Sequence, residues 1–140
     1  MNNKLLELAE WTIKTAKNAG ADDCRVTING ERFVEISYRE RKPENIKEAS
    51  TKSLYIEIFK NGKYSGQTTS DLRKEALSHF ISNAVRMTDL LAKDPYRSLP
   101  DKKYYGSLEN IDLELYDEKI KSINPEDRHK LVQTIEDACL

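Results

Sequence analysis

Two histidines, two cysteines and a scatter of carboxylates are the raw material this chain offers for acid–base, nucleophilic or metal chemistry. A protein zinc site gathers three or four such ligands, often with two histidines one helical turn apart and an acid beside them. His79 sits in "ALSHFISNA" with no acid or second histidine at ligand spacing, and His129 sits in "EDRHKL" at a charged helix start. Both read as exposed helix histidines. Cys24 alternates with polar neighbours and reads as a small buried hydrophobe rather than a nucleophile. Cys24 and Cys139 form no C-x-x-C or ligand-like pattern. No pair of carboxylates stands in an apolar setting that would raise one of them. There is no G-x-G-x-x-G, P-loop or G-x-S-x-G, and Gly62-x3-Gly66 is hairpin punctuation because no phosphate-binding helix N-terminus follows. The residues describe a folded module without a self-contained active site, with no catalytic residue, no metal ligands and no cofactor of its own.

One stretch still asks for a function. In "LYIEIFKNGKYSGQTTSDL", Leu54, Ile56 and Ile58 point one way, while Tyr55, Glu57 and Phe59 point the other. Asn61-Gly62 is a strong hairpin signal, since both residues accept the positive φ of a type I′ turn. That register sets Phe59 opposite Tyr64 and Tyr55 opposite Thr68, with Gly66 facing Glu57 and allowing close backbone approach. Tyr55, Phe59 and Tyr64 therefore line the face opposite the obvious core. They form either a contact surface for another part of an assembly or a face covered by this chain's own segment around Tyr104 and Tyr105. Exposed aromatic patches of that kind mark contact sites.

The elements that carry this face follow from periodicity. Leu5, Leu6, Ala9, Ile13 and Ala16 form a helical stripe that stops at Gly20, with Trp11 off the stripe. From Cys24 the period is two. Asn29-Gly30-Glu31 marks either a three-residue hairpin connection or a bulge within one bent strand, pairing Val26 with Val34 in the first case. A turn near Pro43 and a weak strand over Ile46–Ser50 come next, and then the Asn61-Gly62 hairpin. A helix capped by Ser70 or Asp71 buries Leu77, Phe80, Ile81, Ala84, Thr88 and Leu91 and ends at Asp94-Pro95. The fold expected is α+β: a mostly antiparallel sheet of four to five strands, two helices packed on one face, and a C-terminal helical segment.

Composition sets further bounds. The 140 residues suit one domain with an appended piece. A formal net charge of −1 supplies no basic field for a dedicated nucleic-acid binder. No apolar run approaches the roughly 20 residues that span a bilayer, and the start of the chain has no signal-peptide pattern. Neither a membrane nor a nucleic acid is expected as a partner. Two isolated cysteines suit a reducing compartment, which predicts the cytoplasm. Residues 1–107 hold 19 basic and 15 acidic residues, whereas 108–140 hold 4 and 9. The expected division is therefore an α+β domain over 1–106, then a connector and first helix of a following region over 107–140. That helix has Asn124 as cap, Pro125 at its first position, and Leu131, Ile135 and Ala138 in register. An amphipathic helix ending on Leu140 leads to the expectation that the natural chain continues.

The segment "IEIFKNGKYSGQTTSDLRKEALSHFISNAVRMTDLLAKDPYRSLPD", followed by "DLELYD" and "NPEDR", resembles the TldD/PmbA family, historically named modulators of DNA gyrase. The turn after an apolar strand, Gly66, the "TTSDL" helix entry and "KDPYRSLPD" carry the resemblance. It extends over about Leu5 to Leu140, and "DPYRSLPD" leans toward the PmbA, or TldE-like, branch. Family members are about three times this length. The resemblance implies a cytoplasmic two-part metalloprotease assembly acting on peptides, including peptide maturation. In it a TldD-like half carries a His-Glu-x-x-x-His zinc site and a PmbA-like half lacks one and acts as partner. No position here matches that motif, so the resemblance implies a metal-free N-terminal region, with zinc held by a partner subunit and with a TldD-like subunit or a second copy as partner. The alternatives are the N-terminal domain of the zinc-carrying half itself, or a free-standing small binding module.

Overall fold

In a computed structural model, which describes residues 3–106 and 114–140, three strands form one sheet in the order β1-β2-β3. The elements run α1 (Asn3–Asn18), β1 (Asp23–Arg39), β2 (Lys42–Lys60), β3 (Lys63–Thr69), α2 (Lys74–Thr88) and α3 (Pro125–Cys139), with short 3-10 turns at Lys102–Tyr104 and Glu118–Ser122. The four- to five-stranded sheet with two helices on one face is thus corrected to three strands and three helices. Asn29 and Gly30 do not reverse the chain: neither has positive φ, and both lie inside a 17-residue strand. The reversal falls at Glu40 and Arg41, with φ of 52° and 61°. Of the two readings of Asn29-Gly30-Glu31, the hairpin connection is not the one that forms, since β1 runs through as a single strand, and the stretch from Pro43 to Ser50 merges with the Leu54–Lys60 strand into a 19-residue β2.

The chain divides into two compact units, Met1–Glu31 with Thr51–Tyr105, and Arg32–Ser50 with Gly106–Leu140. Part of the expected connector, residues 107–113, lies outside the described residues. In the first unit the core consists of Leu54, Ile56 and Ile58 of β2, Ala16 and Thr12 of α1, and Leu77, Ile81, Ala84, Val85 and Thr88 of α2. Strict alternation put the three β2 residues on one face, as their spacing predicts. Two helical stripes needed adjustment. Thr12 rather than Leu6 is buried on α1, its hydroxyl donating to the Leu8 carbonyl at 2.8 Å, and Trp11 packs on the core. Leu91 is exposed, because α2 ends at Thr88.

The entry to α2 differs from expectation as well. The helix begins at Lys74 after Arg73, with no side-chain cap. Asp71 instead accepts from the Arg73 backbone N–H at 3.1 Å and from its guanidinium at 2.9 Å. The Arg73 side-chain hydrogen bond, then the backbone one, holds the Asp71 carboxyl down at about 2. A depressed carboxylate adds stability that is full above its unfolded value and is lost as pH falls through the folded one. The window therefore runs from the ordinary carboxylate range near 4 down to about 2. Replacing Arg73 by alanine is expected to return the Asp71 titration toward the ordinary range, read from the side-chain carboxyl carbon shift by NMR.

In the second unit α3 starts as the sequence predicts, Asn124 accepting from the Asp127 N–H at 2.9 Å with Pro125 in the first turn. Its polar side meets the distal part of the β1–β2 hairpin. Tyr38 Oη lies 2.9 Å from His129 Nδ1, and Arg41 donates from its backbone N–H to Glu136 and from Nε to Asp137, both at 3.1 Å. Leu131 and Ile135 are 62% and 56% exposed, so the apolar register of this helix faces outward.

Candidate contact face of the hairpin

The β2–β3 hairpin forms in the register its sequence specifies. Phe59 pairs with Tyr64, Glu57 with Gly66 and Tyr55 with Thr68. Asn61 and Gly62 take φ of 52° and 71°, the left-handed pair a two-residue turn requires. Burying Leu54, Ile56 and Ile58 forces Tyr55, Glu57 and Phe59 onto the opposite face, where Tyr64 joins them from β3. The Phe59 and Tyr64 rings are 5.2 Å apart at 51°, a tilted aromatic pair. Gly66 matters for what it lacks: a Cβ there would come to 3.0 Å from Tyr55 Cζ, so the missing side chain lets the Tyr55 ring lie across β3.

Among these aromatics sits a charge the residue pattern did not flag. Glu57 is 7% exposed. Its Oε1 accepts from Tyr64 Oη at 2.9 Å, its Oε2 accepts from Arg25 Nε, and Tyr64 Oη lies 3.3 Å from Tyr55 Oη. Arg97, beyond α2, stacks its guanidinium 4.6 Å from the Tyr64 ring centre. The Tyr55 hydroxyl first, then burial, then Glu57 push the Tyr64 phenol above its ordinary range. Both oxygens of the Glu57 carboxylate are engaged, so the cluster fixes these side chains in place.

The segment after α2 runs along one edge of this face. The Asp94 N–H donates to the Gly62 carbonyl at 2.8 Å, and a groove of about 380 Å³ lies between Phe59 and Lys63 on the hairpin and Arg97, Leu99, Pro100 and Tyr105 beyond α2. Tyr55, Phe59 and Tyr64 are each partly buried, so part of the aromatic surface stays open to water. Tyr104 is 72% exposed. The structure thus brings together all three aromatics named from the sequence, and adds Arg25, Glu57 and Arg97. A carboxylate flanked by isoleucines in "YIEIF" was the available signal, since a charge in a buried strand needs a partner.

Elsewhere the chemistry stays sparse. No group of three or more His, Cys, Asp or Glu side chains positioned to share a metal ion occurs among the described residues. Cys24 is buried, and burial followed by Asp23 pushes its thiol up, away from reactivity. His79 is exposed on α2, and His129 is taken by Tyr38. Among the described residues no helix is long and apolar enough to cross a membrane.

Comparison with known proteins gives these features a context. No family model and no curated protein matches the sequence. Among solved structures, a proposed modulator of DNA gyrase from Bacteroides thetaiotaomicron matches at 28% identity with a TM-score of 0.89, over 96% of this chain and 30% of that one. TldE from Thermococcus kodakarensis matches at 18% identity with a TM-score of 0.72, over 92% of this chain and 28% of that one, a likeness of fold. The chain thus spans less than a third of either protein.

Proposed function

We propose that this chain, a member of the TldD/PmbA family by its likeness to these structures, is a non-catalytic N-terminal region of a PmbA/TldE-like subunit. In this reading it partners a TldD-like zinc metalloprotease in the cytoplasm, in proteolysis or maturation of peptides. The observation that carries it is the agreement with the Bacteroides protein, in which sequence identity and fold extend over nearly the whole chain. The side-chain geometry supports a positioning role: the buried Glu57 carboxylate is held by Arg25 and Tyr64, with Tyr55 beside Tyr64. Zinc, in this reading, belongs to the partner subunit.

The hairpin face is the surface to test, and Phe59 is the residue to change. Its ring contributes to no hydrogen bond, so Phe59→Ser removes apolar contact area without unpairing a buried group. The full-length protein carrying Phe59→Ser, copurified with a TldD-like subunit and sized by analytical ultracentrifugation, is expected to lose the complex while keeping its circular dichroism. An intact complex at wild-type affinity would refute this surface as the contact. A full-length wild-type product that stays a solitary monomer with the partner present would refute the function.

A further inference from the structure

A cleft of about 410 Å³ opens in the first unit between the starts of two helices and β2. Leu5 and Leu8 of α1 and Leu72, just before α2, make its apolar surface, and Lys4, Lys52, Lys74 and Glu7 rim it. None of the three lysines has a carboxylate within ion-pair distance among the described residues, and Glu7 has no cation either. Lys74 has only an aromatic neighbour, the Trp11 ring, 5.6 Å from its ammonium. Three other lysines of the unit do meet acids: Lys17 meets Asp23, Lys60 meets Asp89 and Lys103 meets Asp101. Lys4 and Lys74 also lie in the first turns of α1 and α2, where the helix dipole adds to a positive field instead of offsetting it.

We infer that this cleft docks an acidic, leucine-type segment of a partner protein, its apolar side chains entering between Leu5, Leu8 and Leu72 and its carboxylates meeting Lys4, Lys52 and Lys74. The inference rests on the reading of the chain as an interaction module, but on a face separate from the hairpin aromatics. Charge complementarity selects the occupant. Three unpaired cations against one acid around an apolar floor favour an anion that carries greasy side chains. The cleft lies within the size range of sites that enclose small groups. An anionic membrane is recruited by clusters of about four to eight basic residues, more than the cleft has. Single-stranded nucleic acid needs aromatic platforms, and none lines this cleft.

The test uses a fluorescein-labelled alternating Leu-Glu octapeptide, with an alternating Leu-Lys octapeptide as control, and fluorescence anisotropy on the whole chain. The Leu-Glu peptide should bind, weaken as salt rises from about 50 to about 500 mM, and lose about tenfold or more in affinity with Lys4→Glu, Lys52→Glu and Lys74→Glu combined. All three lysines are exposed, so the variant should keep its thermal unfolding midpoint. Phe59→Ser should leave peptide affinity unchanged, which separates failure at this cleft from failure at the hairpin face. Equal affinity in the triple variant would overturn the proposal. So would equal binding of the Leu-Lys peptide, or tighter binding to phosphatidylglycerol vesicles than to the Leu-Glu peptide.

Discussion

Replacing Ile56 by alanine is expected to cost about 2–5 kcal/mol of stability, measured by urea unfolding of the purified chain. Ile56 is fully buried in the middle of the alternating run, between Leu54 and Ile58, in the core shared with Leu77, Ile81 and Val85. Truncation removes three buried carbons and leaves a cavity whose walls are two helices and a sheet, which close in only partly. A residue three positions along the same strand behaves differently. Phe59 is partly exposed on the opposite face, so Phe59→Ser forfeits less buried area and should cost well under what Ile56→Ala does. If the two substitutions were equally destabilising, the assignment of core and contact faces would be wrong.

The second large effect concerns Glu57. Arg25→Ala is expected to destabilise the chain by about 1–3 kcal/mol, because it leaves a nearly buried carboxylate with one tyrosine for company. Arg25 itself is 58% exposed, so the pair is partly screened and falls short of a fully buried one. Glu57→Gln should be milder, since the amide still accepts from Tyr64 and the freed guanidinium has water. Combining the two should cost less than the sum of the single changes. That positive coupling, measured as a double-mutant cycle, is the signature of a real partnership. Strict additivity would mean that the contact contributes nothing.

These two residues also mark where local pattern ends and tertiary register takes over. The Asn61-Gly62 turn, the inward Leu54, Ile56 and Ile58, the outward Tyr55, Phe59 and Tyr64, and the Asn124–Pro125 helix start were all legible, because each depends on neighbours within a few positions. Arg25 was not. Reversing the chain at Asn29–Glu31 sets Val26 against Val34 and gives Arg25 no route to Glu57. Reversing it at Glu40–Arg41 brings Arg25 beside Glu57, and also pairs Arg32 with Glu48. Glu and Arg have no preference for left-handed backbone, so the local signal places that turn near Pro43, slightly beyond its position at Glu40 and Arg41. Asn29-Gly30 carries a turn signature it does not use. Strand pairing over 17 and 19 residues overrode it. The α1 stripe was misjudged for a related reason: Thr12 reads as polar, yet satisfies its hydroxyl on its own helix and can go inside. Arg97 was out of reach because its stacking on Tyr64 depends on how the segment after α2 returns to the hairpin.

The chain has a single tryptophan, Trp11, and it packs on the core of the first unit. Its indole is therefore an observer stationed in one half of the molecule. Emission from Trp11 follows the melting of that half, while far-ultraviolet dichroism sums the helices and strands of both. If the two units come apart in separate steps, the curves recorded by the two kinds of light will not superimpose. The distance between their midpoints then measures how independently each unit holds itself together.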